Sequence, residues 1–196
     1  MARHFHGVVL NAGDGRHAHP TQGLLDIYTM RRHFGRISGL KVVIVGDIVH
    51  SRVARSNLWG LTKMGAQVVL CGPPTLLGPS SYWQALFPSV RVTHSLDEAI
   101  SGADVVMALR LQKERQEGGL LPSLREYIRM FCLTPERLSR AAPHALVMHP
   151  GPMNEGVEIA PEVASSSQSV IEEQVANGVA VRMALLYILA GRKGEP

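Results

Sequence analysis

Short runs of β-branched and other apolar residues alternate along this chain with longer stretches whose apolar positions recur every three to four residues. The short runs, at 7–10, 41–45, 67–71, 90–93, 104–109 and 145–148, have the length and make-up of buried strands. Each is followed by polar or glycine-rich sequence and, in most cases, by a helical pattern. That order predicts an α/β fold: a doubly wound parallel sheet of Rossmann-like kind, covered by helices on both faces.

The first helix is expected to begin near Pro20, because a proline fits the first helical turn, and to end near Gly35. Its apolar face is Leu24, Leu25, Ile27, Tyr28 and Phe34. A second runs from about 51 to 64 and stops at Gly65; Ser95 caps a short third, with Asp97 and Glu98 at its positive end, and Thr134-Pro135-Glu136 opens another. The last, over 167–189, carries Val170, Ile171, Val175, Val179, Leu185, Ile188 and Leu189. Asn177-Gly178 interrupts that stripe, and a glycine there predicts a close packing partner. Segments 72–79 and 113–122 read as loops, the second with Gly118-Gly119 at its centre and the better candidate for a moving one.

Composition narrows the class. The 196 residues suffice for one ordinary domain with part of another, and 45% hydrophobic with 18% charged residues is a globular balance. Two cysteines, Cys71 and Cys132, make no disulfide framework, which fits a reducing cytoplasm. The apolar run at 183–190 falls short of a membrane span, and the first six residues have no signal-peptide character. A formal charge of +4 with scattered basic residues suits small anionic substrates better than nucleic acid.

In open α/β sheets ligands bind beyond the carboxyl ends of the strands, so the segments after the strands carry the candidate chemistry. Four are polar in a coordinated way: Asn11-Ala12-Gly13-Asp14-Gly15 with His19-Pro20-Thr21-Gln22; Gly46-Asp47 through Ser51-Arg52; Arg110-Leu111-Gln112-Lys113-Glu114-Arg115; and His149-Pro150-Gly151-Pro152. His19 and Gln22 at a helix start can polarise a carbonyl and recognise an amide. Arginines at the ends of two strands, Arg52 and Arg110, can clamp a dicarboxylate. Taken singly, His19 reads as a cap, the arginines as surface ion-pair members and Gln112 as filler; their shared location makes the case. No GxGxxG turn follows a strand, His17-Ala18-His19 lacks further ligands at metal spacing, and no P-loop occurs, so neither cofactor nor metal is expected. The serines at 165–169 have no base nearby and read as caps.

These motifs, in this order and spacing, resemble those of the aspartate carbamoyltransferases over essentially the whole chain. The sibling family acting on ornithine typically has Cys in place of Thr21 and His-Cys-Leu-Pro in place of 149–152, so aspartate is the preferred acceptor. The resemblance implies that His19 bonds the carbonyl oxygen of carbamoyl phosphate. It gives Gln22 and the backbone carbonyls of Pro150 and Gly151 to the carbamoyl amino group. Arg52, Arg110 and Gln112 would bind L-aspartate, and 113–122 would close over it. It further implies a homotrimer or larger assembly. Residues 1–18 would be a remnant of a carbamoyl phosphate domain, 19–35 a linking helix, 36–166 the aspartate-binding domain and 167–196 a bridging helix.

Two departures qualify the expectation. The family's Ser-Thr-Arg-Thr phosphate anchor is not found in these residues, so the chain alone is expected to be an incomplete catalyst, or else a non-catalytic aspartate-binding or assembly module. Glu155 stands where related sequences often have Arg. If a further domain or partner normally covers the first and last helices, their apolar stripes are expected to be partly bare.

Overall fold

The computed structural model describes residue 4 and residues 7–111 and 123–190. Five of the six apolar runs become strands: β1 (Lys41–Val45), β2 (Gln67–Cys71), β3 (Arg91–Thr93), β4 (Val105–Ala108) and β5 (Leu146–Met148). They form one parallel sheet in the order β3-β2-β1-β4-β5, in which Val43 pairs with Val69 on one side and Val106 on the other. The chain winds outward from β1 to β3, returns to the far side of β1, and winds outward again. The reversal between β1 and β4 opens a crevice at their carboxyl ends, the place where such sheets bind ligands.

The helices are α1 (Pro20–Phe34), α2 (Arg52–Lys63), α3 (Pro74–Leu77), α4 (Ser80–Leu86), α5 (Leu96–Ile100), α6 (Leu124–Phe131), α7 (Pro135–Leu138), α8 (Pro161–Ala164) and α9 (Ile171–Ala190). Because successive strand side chains point to opposite faces, one set of strands feeds two cores. Val42, Ile44, Leu70 and Met107 pack with Met30, Leu58 and Leu61 on one face. Val43, Val45, Val69 and Val106 pack with Ile100, Tyr127, Phe131 and Val163 on the other. Cys71 and Cys132 are both buried as free thiols, and burial pushes the Cys71 thiol up to about 12.

The expected caps form. Gly35 takes the left-handed conformation (φ 71°) that ends α1, and the Ser51, Ser95 and Thr134 hydroxyls accept from the N–H groups of Ala54, Glu98 and Arg137. Three expectations need correction. Residues 7–10 form no strand: Val8 and Val9 are exposed, and no strand among the described residues supplies a ladder for them. The loop at 72–79 contains the single turn of α3. The last helix starts at Ile171 rather than 167 because the preceding backbone is used on the edge of β5, where Val147 N–H donates to Gln168 O (2.8 Å) and Val170 N–H to Val147 O (3.0 Å).

The packing of α9 is unusual for a surface helix. Its buried positions are Gln174, Asn177 and Gly178, whereas Val175, Val179, Met183 and Leu186 are each more than half exposed. Gly178 allows the close approach anticipated from sequence, since a Cβ there would meet Leu25 Cδ2 of α1 at 3.2 Å. On α1, Leu24 and Tyr28 are also exposed. The apolar stripes of both helices therefore lie partly bare on this chain. No helix among the described residues is long and apolar enough to cross a membrane.

Candidate functional site

A cavity of about 290 Å³ lies at the carboxyl end of the sheet, and His19, Gln22, Arg52, Arg110, Pro150 and Gly151 all line it. Six of the seven site residues expected from sequence are thus brought together from four separate segments. The seventh, Gln112, lies outside the described residues, as does the expected closing loop at 113–122.

His19 sits immediately before α1, fixed by its own N–H donating to Ser56 Oγ on α2 (2.9 Å). Burial lowers its pKa, and the positive charges of Arg52 and Arg182 lower it further, so the ring is neutral at pH 7. The Thr21 hydroxyl is 3.4 Å from Nδ1. The tautomer that accepts from Thr21 keeps its proton on Nε2 and can donate to an oxygen without adding charge.

Arg52 is the first residue of α2, and the turn at 11–15 closes on it. Asn11 Oδ1 accepts from Gly13 N–H (2.8 Å), and Gly13 adopts φ +122° with its backbone against the guanidinium: a Cβ there would lie 2.7 Å from Arg52 Cζ. Only glycine satisfies both constraints. Gly13→Ala is therefore expected to displace Arg52 and weaken binding of a carboxylate ligand about tenfold, the scale of one charge-assisted hydrogen bond. Its thermal midpoint should stay within a few degrees, because the turn is exposed; calorimetric titration beside a melting curve checks both.

Arg110 follows β4, and its segment is anchored by a residue sequence reasoning missed. Glu158 is 1% exposed and accepts from Leu111 N–H (2.7 Å), Asn154 N–H (2.8 Å) and Asn154 Nδ2 (2.7 Å). Asn154 Nδ2 also reaches Leu111 O at 3.2 Å. This carboxylate ties the end of β4 to the segment after β5. Glu155, the departure noted above, is exposed and does not line the cavity.

The loop after β5 is held from behind. His149 is fully buried; its N–H donates to Gln174 Oε1 on α9 (2.9 Å), and its Nδ1 accepts from Gly151 N–H (2.9 Å). Burial and then the nearby Arg110 charge push its pKa down to about 4, so it is a neutral brace for the Pro150-Gly151 backbone. The Gly151–Pro152 peptide is cis.

Two further cavity-lining residues, given no role from sequence, form a pair. Asp47, which follows β1, places Oδ1 2.8 Å from His50 Nδ1, and both line the wall next to Arg52. The site therefore presents two guanidinium groups, the neutral His19 imidazole, the Asp47–His50 pair, a carboxamide and the Pro150-Gly151 backbone around one small volume. That set can hold carboxylates at one end and a polarised carbonyl bearing an amino group at the other.

Such an arrangement, a small polar cavity at the switch point of a doubly wound sheet, is where open α/β folds bind ligands. Residues 38–189 match the aspartate/ornithine carbamoyltransferase family over its Asp/Orn binding domain, and the chain belongs to that family. Within it, the aspartate carbamoyltransferase catalytic subunit of Roseiflexus sp. (strain RS-1) is 73% identical over 190 residues, covering 97% of this chain and 60% of that protein. The protein of the same name from Chloroflexus aggregans is 70% identical over 191 residues, covering 97% and 62%. This chain thus spans about 60% of the length of such relatives.

Among solved structures, aspartate transcarbamoylase from Trypanosoma cruzi in complex with carbamoyl aspartate and phosphate is similar at TM-score 0.80 and 30% identity, covering 91% of this chain and 57% of that one. Ornithine carbamoyltransferase from Pyrococcus furiosus is similar at TM-score 0.80 and 28% identity, covering 91% and 58%.

Proposed function

We propose that this chain carries the acceptor site of an aspartate carbamoyltransferase, which moves the carbamoyl group of carbamoyl phosphate to L-aspartate, giving N-carbamoyl-L-aspartate and phosphate in pyrimidine biosynthesis. The observation that carries the reading is the convergence of Arg52 and Arg110 with His19, Gln22 and the Pro150-Gly151 backbone on one cavity. Arg52 and Arg110, with Gln112, bind the two aspartate carboxylates. The amine then attacks the carbamoyl carbon while His19 Nε2–H donates to the carbonyl oxygen as it gains negative charge. Gln22 and the carbonyls of Pro150 and Gly151 hold the carbamoyl amino group, and the C–O bond to phosphate breaks as the departing phosphate takes the proton that the attacking amine gives up. Positioning and electrostatics suffice for such a step.

The phosphate group has no dedicated anchor in this assignment, so we assign turnover to a larger whole: a homotrimer or higher assembly, in the cytoplasm, in which another segment or subunit completes the site and covers the bare faces of α1 and α9. The 196 residues alone are expected to bind aspartate with little synthesis of carbamoyl aspartate; robust turnover by the purified chain would refute that part.

A second reading, ornithine as acceptor, draws on the fold shared with ornithine carbamoyltransferases. The two arginines and the aspartate names of the more similar relatives favour aspartate. Calorimetric titration separates them: L-aspartate should bind and L-ornithine should not. Arg110→Ala should weaken aspartate by about 10- to 100-fold, the value of ~1.5–3 kcal/mol for hydrogen bonds to a charged group. Unchanged affinity in that variant would sink the clamp.

A further inference from the structure

Behind the cavity lies an acid the reading above does not use. Asp26, on the inner side of α1, is fully buried and accepts three hydrogen bonds, all from carboxamides on three different helices. Gln22 Nε2 donates to its Oδ1 at 2.9 Å, Gln174 Nε2 to the same oxygen at 2.7 Å, and Asn57 Nδ2 to Oδ2 at 2.7 Å.

The chemistry of a carboxamide makes this consequential. Its nitrogen can only donate and its oxygen only accept, so committing one end fixes what the other offers. Gln22 lines the cavity with its Nε2 committed to Asp26, which leaves Oε1 as the end available to a ligand. Gln174 is set the same way: its Nε2 is on Asp26, and its Oε1 therefore takes the His149 N–H at the root of the Pro150-Gly151 loop. A single carboxylate thus orients both elements that face a ligand's amino group, one by direct contact and one through α9.

We infer that Asp26 is the positioning residue for recognition of the carbamoyl amino group, holding Gln22 so that its oxygen accepts from that group and registering the 149–151 loop against it. The inference rests on the proposed carbamoyl-transfer reading. It makes the selectivity of the site for an amino group over a methyl group depend on a side chain that touches no ligand.

The test uses two ligands of one shape. N-carbamoyl-L-aspartate carries the amino group, and N-acetyl-L-aspartate has a methyl in its place; both keep the aspartate carboxylates. The wild-type chain should bind the carbamoyl compound about five- to tenfold more tightly, the range expected for one net hydrogen bond. Asp26→Leu should bring the ratio near one while leaving N-acetyl-L-aspartate within about twofold. Asp26→Asn should keep most of the preference: its oxygen still accepts from Gln22 and Gln174, and its new N–H group can donate to Asn57 Oδ1, which has no partner, once that carboxamide turns.

A double-mutant cycle separates positioning from general structural support. If Asp26 acts through Gln22, then Asp26→Leu has little further effect on the ratio in a Gln22→Ala background; additive losses would overturn the inference. The Gln22 side-chain amide resonances give an independent readout. They should move toward free-amide positions in folded Asp26→Leu, and unchanged resonances would also overturn the inference. Wild-type chain that binds neither ligand would instead overturn the functional reading, while the Gln22 resonances still decide the role of Asp26.

Discussion

Glu158→Ala is expected to lower the unfolding free energy by about 3 kcal/mol, because one buried donor and two part-buried ones lose their acceptor at ~1–3 kcal/mol each and water entering the vacated space restores part. The donors come from both segments that border the crevice, so the damage extends beyond stability. With Leu111 and Asn154 released, Arg110 loses the backbone anchor that directs it, and affinity for aspartate should fall by about tenfold or more, the scale of one charge-assisted contact. Urea denaturation read beside an aspartate titration checks both. Glu158→Gln retains one accepting oxygen and should recover about half the stability, on the same accounting. A loss below ~1 kcal/mol in the alanine variant would show that the segments are held by other means.

The second large effect concerns Asp26 and pH. Burial raises its pKa from 3.8 to about 6, against the opposing pull of hydrogen bonds from Asn57, Gln174 and Gln22 and of the Arg182 charge. Between those two values the folded chain holds a proton that the unfolded chain has released. Stability from this group is therefore fully present below the unfolded value and is lost as pH rises through the folded one. At 1.36 kcal/mol per pKa unit, ionised Asp26 costs the folded state about 3 kcal/mol above pH 6 relative to pH below 4. Other carboxylates, such as Glu173, whose pKa is lowered, slope the opposite way, so the quantity to measure is the difference between wild type and Asp26→Asn. That difference should change by about 3 kcal/mol between pH 4 and 8, in the direction that favours the variant at high pH. A difference that stays constant over that range would show that Asp26 remains ionised throughout.

The two acids mark the limit of sequence reading in this molecule. Strands at 41–45 and 67–71 were legible to the residue, because β-branched runs bounded by glycine have few alternatives. The run at 7–10 looked the same and failed, since a strand is a property of two segments and nothing among the described residues pairs with this one. Six cavity-lining residues were legible, Arg52, Arg110, Pro150 and Gly151 because they come after strands, where polar sequence stands out against apolar runs, and His19 and Gln22 because they mark a helix start. Asp26 and Glu158 were not, because their partners Asn57, Gln174 and Leu111 lie 31, 148 and 47 residues away and burial leaves no local mark. α6 had a signal that could have found it: Ser123 followed three residues later by Glu126, with the serine hydroxyl accepting the Glu126 N–H. α4 begins after a proline with no side-chain cap and carried no such mark.

The sheet's reversal between β1 and β4 separates two kinds of evolutionary change. The cavity is lined from loops and helix starts at one end of the sheet, while both cores lie below and, among the described residues, share only Leu109 and Val53 with its wall. Most cavity-lining positions can thus change without repacking either layer. Solved relatives named for aspartate and for ornithine keep one backbone course at TM-score 0.80 with fewer than a third of residues in common with this chain. For an engineer, the same partition means that the chemistry of the pocket can be rewritten on a frame that need not be redesigned.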